Sequence, residues 1–314
     1  MAADDKVMGQ GPFGLKYYLS GALSGGICCS ITHGALTPVD VVKTRIQLDP
    51  ATYNKGMIGG FSQVIKAEGP GALLTGFGPT AQGYFIQGWF KFGGVEFFKI
   101  NLTKYLGEKA AWENRNSIYL LSSAMAEFIA DIFLCPYEAC RIRLVSNPTY
   151  ASSMIGCASR MWSEQGFVNA FYSGFVPILF KQIPYTMAKF AVQGKAQEMI
   201  YTSLDASPEK PPAIGTIGVS LSSGVIAGVA AAIISHPADT LLSKINKGGG
   251  EGSMFARMGN IVSETGLWKL CTQGLFARCV MIGSLTAGQF GIYDIVMNAV
   301  GASKFHFHNP DAAH

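Results

Sequence analysis

The chain has 314 residues, of which 49% are hydrophobic and 14% are charged, with 24 basic against 20 acidic side chains and a formal net charge of +4. Disorder needs low hydrophobicity and high charge, so the composition excludes a disordered chain. A soluble domain carries about 25% charged residues, and the shortage here argues against an ordinary soluble enzyme. The seven cysteines show no C-x-x-C pair and no metal-ligand spacing. We therefore expect reduced thiols and neither a metal nor a cofactor.

Six segments are long and apolar enough to suggest membrane spans. Three of them, 17–39, 69–90 and 211–238, contain no lysine, arginine, aspartate or glutamate, and three shorter apolar runs at 116–134, 174–193 and 279–300 contain few. A transmembrane helix needs about 20 mostly apolar residues. The sequence therefore predicts an all-α membrane protein with six transmembrane helices.

A motif recurs at intervals of about 100 residues, each time at the end of an apolar run. It consists of a proline, an acid two residues later, and bases three and five residues after the acid. The copies begin at Pro38, Pro136 and Pro237, and in the third copy Leu242 replaces the first base. An amphipathic segment, an acid, a glycine and a second apolar run follow each copy. This order predicts three units, 13–105, 115–202 and 213–300, each made of two spans joined by a surface helix.

This triple pattern resembles the mitochondrial carrier family from about Phe13 to Val300. The resemblance implies a three-fold pseudo-symmetric bundle with three short matrix-side surface helices, as a multi-pass protein of the mitochondrial inner membrane with both termini in the intermembrane space. It also implies an anionic lipid such as cardiolipin as a partner, and one chain is expected to suffice for function. The stretches 37–48, 74–80, 127–148, 172–190 and 236–247 are most similar to family members that carry phosphate.

The motif predicts a gate of ion pairs where the odd-numbered spans meet. A proline removes one helical hydrogen bond and kinks the helix, so Pro38, Pro136 and Pro237 would draw three spans together. Charges at membrane depth are costly unless they are paired or face water, which makes those after each kink functional candidates. The expected gate residues on the matrix side are Asp40, Lys43, Arg45, Glu138, Arg141, Arg143, Asp239 and Lys244.

Two further sets of candidates follow from helical phase. Positions seven and eleven residues before each acid lie on the same helix face, and they hold His33, Asp131 and Glu127. Because histidine titrates near neutral pH, we expect a proton-handling set of His33, Glu127, Asp131 and Glu138.

The even-numbered spans align on Gly76, Gly174 and Gly274, and positions 4, 7, 11 and 15 residues later form one stripe. The polar residues of this stripe, together with the neighbouring Gln182, are the predicted substrate-binding set. The set is Thr80, Gln87, Lys91, Lys181, Gln182, Lys189 and Arg278. Cations outnumber acids among the in-span residues, so a cavity between the spans should attract a small anion, and lysine and arginine suit phosphate.

The family resemblance also implies a second gate at the other end of the spans, where an acid in each even-numbered span has a base three residues later. Only Glu96 with Lys99 fits. Gln193 with Ala196 and Asp294 with Met297 do not. The sequence therefore predicts a weaker and asymmetric second gate.

The leading interpretation is transport of inorganic phosphate into the mitochondrial matrix, coupled to proton symport or hydroxide exchange, by alternating access. A carrier for another small anion such as a dicarboxylate, or a non-transporting membrane receptor, stays open. No nucleophile–base pattern and no G-x-x-x-x-G-K phosphate loop occurs, which excludes the common enzyme classes. No basic tract for nucleic acid is present either.

Overall fold

The computed structural model describes residues 6–49, 51–208, 210–248, 260–263, 266–272 and 274–310. Within these ranges the side chains at 47, 48, 242–248 and 267 are not described. The predicted gate residue Lys244 therefore lies outside the described side chains. Most of the third predicted surface helix, 254–263, also lies outside the described residues.

Six long helices make up most of the described chain. They are α1 (Leu15–Leu48), α3 (Phe77–Leu106), α5 (Arg115–Ser146), α8 (Phe175–Ser203), α9 (Gly215–Gly248) and α11 (Leu275–Ala299). The shortest has 25 residues, and at about 1.5 Å per residue each exceeds the roughly 30 Å hydrocarbon core of a bilayer. Three stretches are also apolar enough to cross a membrane by composition, namely Arg115–Ser146, Gly215–Leu241 and Trp268–Ala299.

Shorter helices connect the long ones. Helices α2 (Gly56–Glu68) and α6 (Met154–Gln165) occupy the first two predicted surface-helix segments. Three short helices, α4 (Glu108–Glu113), α7 (Phe167–Tyr172) and α10 (Leu267–Thr272), and a 3-10 turn at Pro70–Leu74 lie between the long ones. Residues 260–263 are helical as well. The described residues contain no β-strand, and Val7 and Gln10 form an isolated bridge.

The three motif prolines lie inside helices and do not end them. The spans predicted from apolar runs end near the prolines, whereas α1, α5 and α9 continue to Leu48, Ser146 and Gly248. A proline costs the helix one hydrogen bond and a local clash, which the rest of a helix this long can absorb. The motif charges therefore sit on helical turns, where their spacing determines the direction in which each points.

The chain divides into two compact units. The first contains 1–28, 88–130 and 179–314, and the second contains 29–87 and 131–178. Their boundaries fall within α1, α3, α5 and α8, so each of these helices contributes to both. Close helix contact in the first unit depends on glycine, because a Cβ at Gly25 would lie 2.4 Å from the carbonyl oxygen of Gly88. A Cβ at Gly224 would lie 2.7 Å from the Cα of Ala287.

Candidate functional site

A buried ion pair lies in the first unit. Lys91 Nζ of α3 is 3.0 Å from Glu127 Oε2 of α5, with the two side chains 5% and 0% exposed. Thr186 Oγ1 of α8 donates to the same carboxylate at 2.9 Å. Charges this far from water require a partner and additional hydrogen bonds, and both are present. The sequence assigned Lys91 to substrate binding and Glu127 to proton handling, and the structure brings them together.

A second buried cation is paired with an amide. Lys189 Nζ donates to Gln289 Oε1, and both residues are buried. Lys91, Lys189 and Gln289 hold equivalent positions in the three repeats, 15 residues after the aligning glycine. Two of the three equivalent side chains thus bind each other, while the third binds Glu127. The polar residues at this position of all three repeats therefore make buried polar contacts in the first unit.

Three phenylalanines at equivalent positions in the repeats form an apolar layer next to this pair. Phe92, Phe190 and Phe290 follow directly after the three polar residues, and their ring centroids are 5.1, 5.5 and 5.7 Å apart. Lys189 Nζ lies 4.9 to 5.5 Å from all three ring centroids, within the range of cation–π attraction. The sequence analysis missed this phenylalanine triad. Extending the stripe by one residue would have found it, because phenylalanine occurs at that position in all three repeats.

Lys181 and Arg278, which the sequence placed in the substrate-binding set, pair with the acid of the third motif. Lys181 Nζ is 3.1 Å from Asp239 Oδ1. Arg278 Nη1 donates to Asp239 Oδ2, and its Nη2 donates to Ser235 Oγ at 3.0 Å. The Lys181 side chain is 45% exposed, so this ion pair is much more accessible than that of Lys91. Gln182 is half-buried.

In the second unit, an ion-pair network joins the first and second motif copies. Arg141 Nη1 lies 3.5 Å from Asp40 Oδ2. The same guanidinium donates to both carboxylate oxygens of Glu138, at 2.8 and 2.5 Å. Glu138, which the sequence placed both in the gate and in the proton set, is thus held by arginine. The base three residues after the acid faces the acid, as helical spacing requires.

The second base of the motif lies in a different environment from the gate acids. Arg45 donates to both oxygens of Glu68 at 2.7 and 2.8 Å, and Tyr53 also donates to Glu68 at 2.8 Å. The guanidinium holds the pKa of Glu68 below its usual range. Five residues correspond to about 500° of helical rotation, so this base points roughly 140° away from the acid. It fastens α1 to the surface helix α2, whereas the sequence placed Arg45 in the gate.

The second repeat shows the same departure from the predicted gate. The Arg143 guanidinium lies 5.1 Å from the centroid of Tyr150. The Tyr150 hydroxyl donates to Glu164 at 2.7 Å, so Arg143 belongs to the contact between α5 and α6. Lys43, the first base of the first copy, is exposed.

The remaining proton and substrate candidates lie in the second unit. The His33 imidazole stacks face to face on Tyr84, with centroids 3.6 Å apart and planes at 6°. Gln87 Nε2 donates to Asp131 Oδ1 at 3.3 Å, and both side chains are buried. Thr80 donates its hydroxyl to the carbonyl of Gly76 at 2.7 Å. Asp131 and Gln87, predicted for different tasks, are therefore hydrogen-bonded neighbours.

Near the two chain termini, the first unit contains a second polar network. Glu96 accepts from Tyr17 Oη at 2.6 Å and from Lys99 Nζ at 2.5 Å. Asp294, which has no base three residues later, lies 3.1 Å from Lys304 Nζ. In the second repeat the position equivalent to Lys99 is Gln197, not Ala196, and it donates to Ser220 at 3.0 Å. Sequence reasoning missed Lys304 because it lies beyond the last helix.

The family profile described as "Mitochondrial carrier protein" matches three successive segments, 15–106, 113–204 and 215–304. The chain belongs to the mitochondrial carrier family. This membership confirms the predicted all-α triple-repeat fold class. The chain is therefore a multi-pass transporter of the mitochondrial inner membrane and not an enzyme.

Individual relatives match over most of their length. "Mitochondrial substrate carrier family protein N" of Dictyostelium discoideum is 50% identical over 91% of this chain and 95% of its own. "Solute carrier family 25 member 3" of Homo sapiens is 42% identical over 90% of this chain and 76% of its own. The "Probable mitochondrial phosphate carrier protein" of Schizosaccharomyces pombe is 42% identical over 89% of both chains.

Proposed function

We propose that this carrier transports inorganic phosphate across the mitochondrial inner membrane into the matrix, together with a proton or in exchange for hydroxide. Relatives that are 42% identical are named phosphate carriers. The observation that carries the proposal is the buried pair of Lys91 and Glu127, which places an anion-binding cation against a group that can take up a proton. A single chain contains all three repeats and is the proposed transport unit, with an anionic lipid around it.

The phosphate-binding groups proposed from the first unit are Lys91, Lys189, Thr186 and Gln289. Ammonium groups make short, charge-assisted hydrogen bonds to phosphate oxygens, and hydroxyl and amide groups supply additional donors. Both ammonium groups are almost fully buried, where electrostatic attraction is stronger than in water. In the present arrangement Glu127 and Gln289 occupy these cations, so phosphate must displace them.

This displacement couples phosphate to a proton. When phosphate binds Lys91, Glu127 loses its cation in a site that excludes water. An unpaired buried carboxylate is costly, so it takes up a proton and becomes a neutral carboxylic acid. One monovalent phosphate and one proton then enter together without net charge. When phosphate leaves, Lys91 binds Glu127 again and the proton is released.

The gate proposed at the motif end would open while the network near the termini is closed, and would close when that network opens. The contact between Asp40 and Arg141, and the contacts of Asp239 with Lys181 and Arg278, each join elements of different repeats or different spans. Breaking them would open the matrix side. Alternating access requires that the network near the termini stay formed at that stage.

The test is radiolabelled phosphate uptake into proteoliposomes containing the purified chain. A pH gradient should accelerate net uptake, and malate should not compete as well as phosphate does. Glu127→Gln should abolish the response of net uptake to the gradient while phosphate–phosphate exchange continues. Glu113→Gln, at an exposed position on α4, is the matched control and should respond to the gradient as the unsubstituted chain does.

His33→Ala supplies a second arm of the same assay. If His33 handles protons, the substitution should reduce net uptake more than exchange, and equal reductions would assign it to gate structure. Uptake that ignores the gradient, or equal competition by malate, would favour a carrier for another anion. Absence of any transport in an otherwise folded preparation would favour a non-transporting receptor.

A further inference from the structure

We propose that residues 304–308, called the C-terminal latch below, complete the gate near the chain termini. Docked as in this structure, the latch supplies the cation that α11 lacks. It must leave before the path can open at that end. This inference rests on the proposed transport function, since it identifies a moving part of the same cycle. It concerns a segment beyond the last long helix, α11 (Leu275–Ala299).

First, Lys304 of the latch supplies a positive charge to the acid of the third repeat. Asp294 in the third repeat corresponds to Glu96 in the first, but the position three residues later is Met297, where the first repeat has Lys99. Lys304 Nζ lies 3.1 Å from Asp294 and donates to Ser220 Oγ at 2.9 Å. The two charged side chains are 11% and 9% exposed. The chain therefore replaces a missing gate base with one from its C-terminal segment.

The second step is the next residue of the latch, Phe305. Its backbone N–H donates to Glu96 at 2.9 Å, and its carbonyl accepts from Lys99 at 2.9 Å. Its side chain is only 1% exposed and packs edge to face against Phe13. One latch residue thus bonds both members of the gate pair of the first repeat, while Lys304 bonds the acid of the third.

The third step is the attachment of the latch to the N-terminal segment. Gln10 Nε2 donates to the carbonyl of His306 at 2.7 Å, and the N–H of His306 donates to Gln10 Oε1 at 3.1 Å. The His306 ring meets Tyr201 of α8 edge on, with centroids 6.3 Å apart. The N-terminal segment and α8 therefore both hold the latch.

Together these contacts tie elements that have to separate. The latch bonds α3 through Glu96 and Lys99, α9 through Ser220, and α11 through Asp294, and it contacts α8 through Tyr201. Phe307 of the latch also packs edge to face against Tyr119 of α5, with ring centroids 5.3 Å apart. If α3, α9 and α11 move apart at this end during transport, a docked latch cannot keep all of its bonds. Its undocking is then an obligatory part of opening.

A reversible cross-link tests the requirement for undocking. The double variant Tyr201→Cys with His306→Cys places two thiols where α8 and the latch meet, and a short bifunctional thiol reagent that reduction can cleave should bridge them. The two single variants control for native cysteines. In proteoliposomes the cross-linked double variant should lose at least about nine-tenths of both net phosphate uptake and exchange, and reduction should restore both. Unchanged transport by cross-linked protein would overturn the proposal. Absence of transport in the reduced and unsubstituted chains would instead contradict the phosphate function.

A second measurement tests the cation without using transport. Thermal unfolding of the detergent-solubilised full chain should show a lower midpoint for Lys304→Gln and little change for Lys304→Arg. Asp294→Asn should lower the midpoint similarly, and the double variant Asp294→Asn with Lys304→Gln should add little further loss, because the partners are coupled. Additive losses, or no loss in Lys304→Gln, would show that Lys304 does not complete the gate.

Discussion

Lys91 Nζ and Glu127 Oε2 lie 3.0 Å apart in a place where neither side chain is more than 5% exposed. The two groups come from different repeats and belong to different candidate sets by sequence. Their contact means that a ligand for the cation must compete with the carboxylate. Under the proposed function, anion binding and protonation would be linked at this one pair of atoms, with no relay between distant sites.

Lys91→Gln should remove most phosphate uptake. The glutamine keeps approximate length and polarity but loses the ammonium, and a hydrogen bond to a charged group contributes about 1.5–3 kcal/mol. Phosphate affinity should therefore fall by about 10-fold to 100-fold. The measurement is uptake over a range of phosphate concentrations, with membrane protein quantified in parallel. Lys104→Gln, exposed on the same helix, is the control, and near-normal uptake by Lys91→Gln would assign Lys91 a structural role.

The phenylalanine triad next to the buried Lys189 should contribute strongly to the stability of the folded chain. Phe190→Ala removes a ring that contacts both Phe92 and Phe290, and such truncations cost about 3–5 kcal/mol. Phe180→Ala, on the same helix with 56% exposure, should cost far less. Thermal unfolding of the two purified variants gives the comparison. Equal midpoints for the two would show that the triad does not pack as a unit.

The six apolar runs were sufficient to predict the all-α class and the six long helices, and the repeated motif was sufficient to predict the first two surface helices. Helical phase also identified Lys91, Lys189, Glu127 and Asp131 as candidate site residues, because charges at membrane depth are costly unless they are paired or face water. Partner choice could not be predicted in this way. Arg45 pairs with Glu68 and Lys181 with Asp239, and both contacts depend on tertiary packing. Lys304 was missed because it lies beyond the third predicted unit, 213–300.

The contact between Arg45 and Glu68 should make stability depend on pH in the acid range. Since the pKa of Glu68 is lowered from its usual value of 4.5 in the folded state, its contribution is fully present above pH 4.5 and is lost as the pH falls through the lowered value. The contribution should be about 1 kcal/mol, because the pair is partly exposed to solvent. Unfolding midpoints of the unsubstituted chain and Glu68→Gln should differ above pH 4.5 and converge as the pH is lowered below that value. A constant gap would contradict this account.

Docking of the C-terminal latch should weaken as the surroundings become acidic. Burial lowers the pKa of His306 well below its ordinary 6.5, and the nearby charges of Lys304, Lys99 and His308 lower it further. The docked form therefore holds a neutral imidazole, while the undocked form takes up a proton near pH 6.5. Docking is strongest above that value and should weaken by up to about tenfold per pH unit below it, until the docked histidine itself titrates.

Hydrogen exchange of residues 301–310, corrected for the intrinsic pH dependence of exchange, measures this change between pH 7.5 and 5.5. Protection should fall with pH in the unsubstituted chain and stay nearly constant in His306→Gln. His308→Gln should keep most of the dependence, since His308 is exposed and acts on His306 only through its charge. An equal fall in His306→Gln would mean that a different group releases the latch, with Asp294 and Glu96 the nearest acids whose protonation would break its bonds.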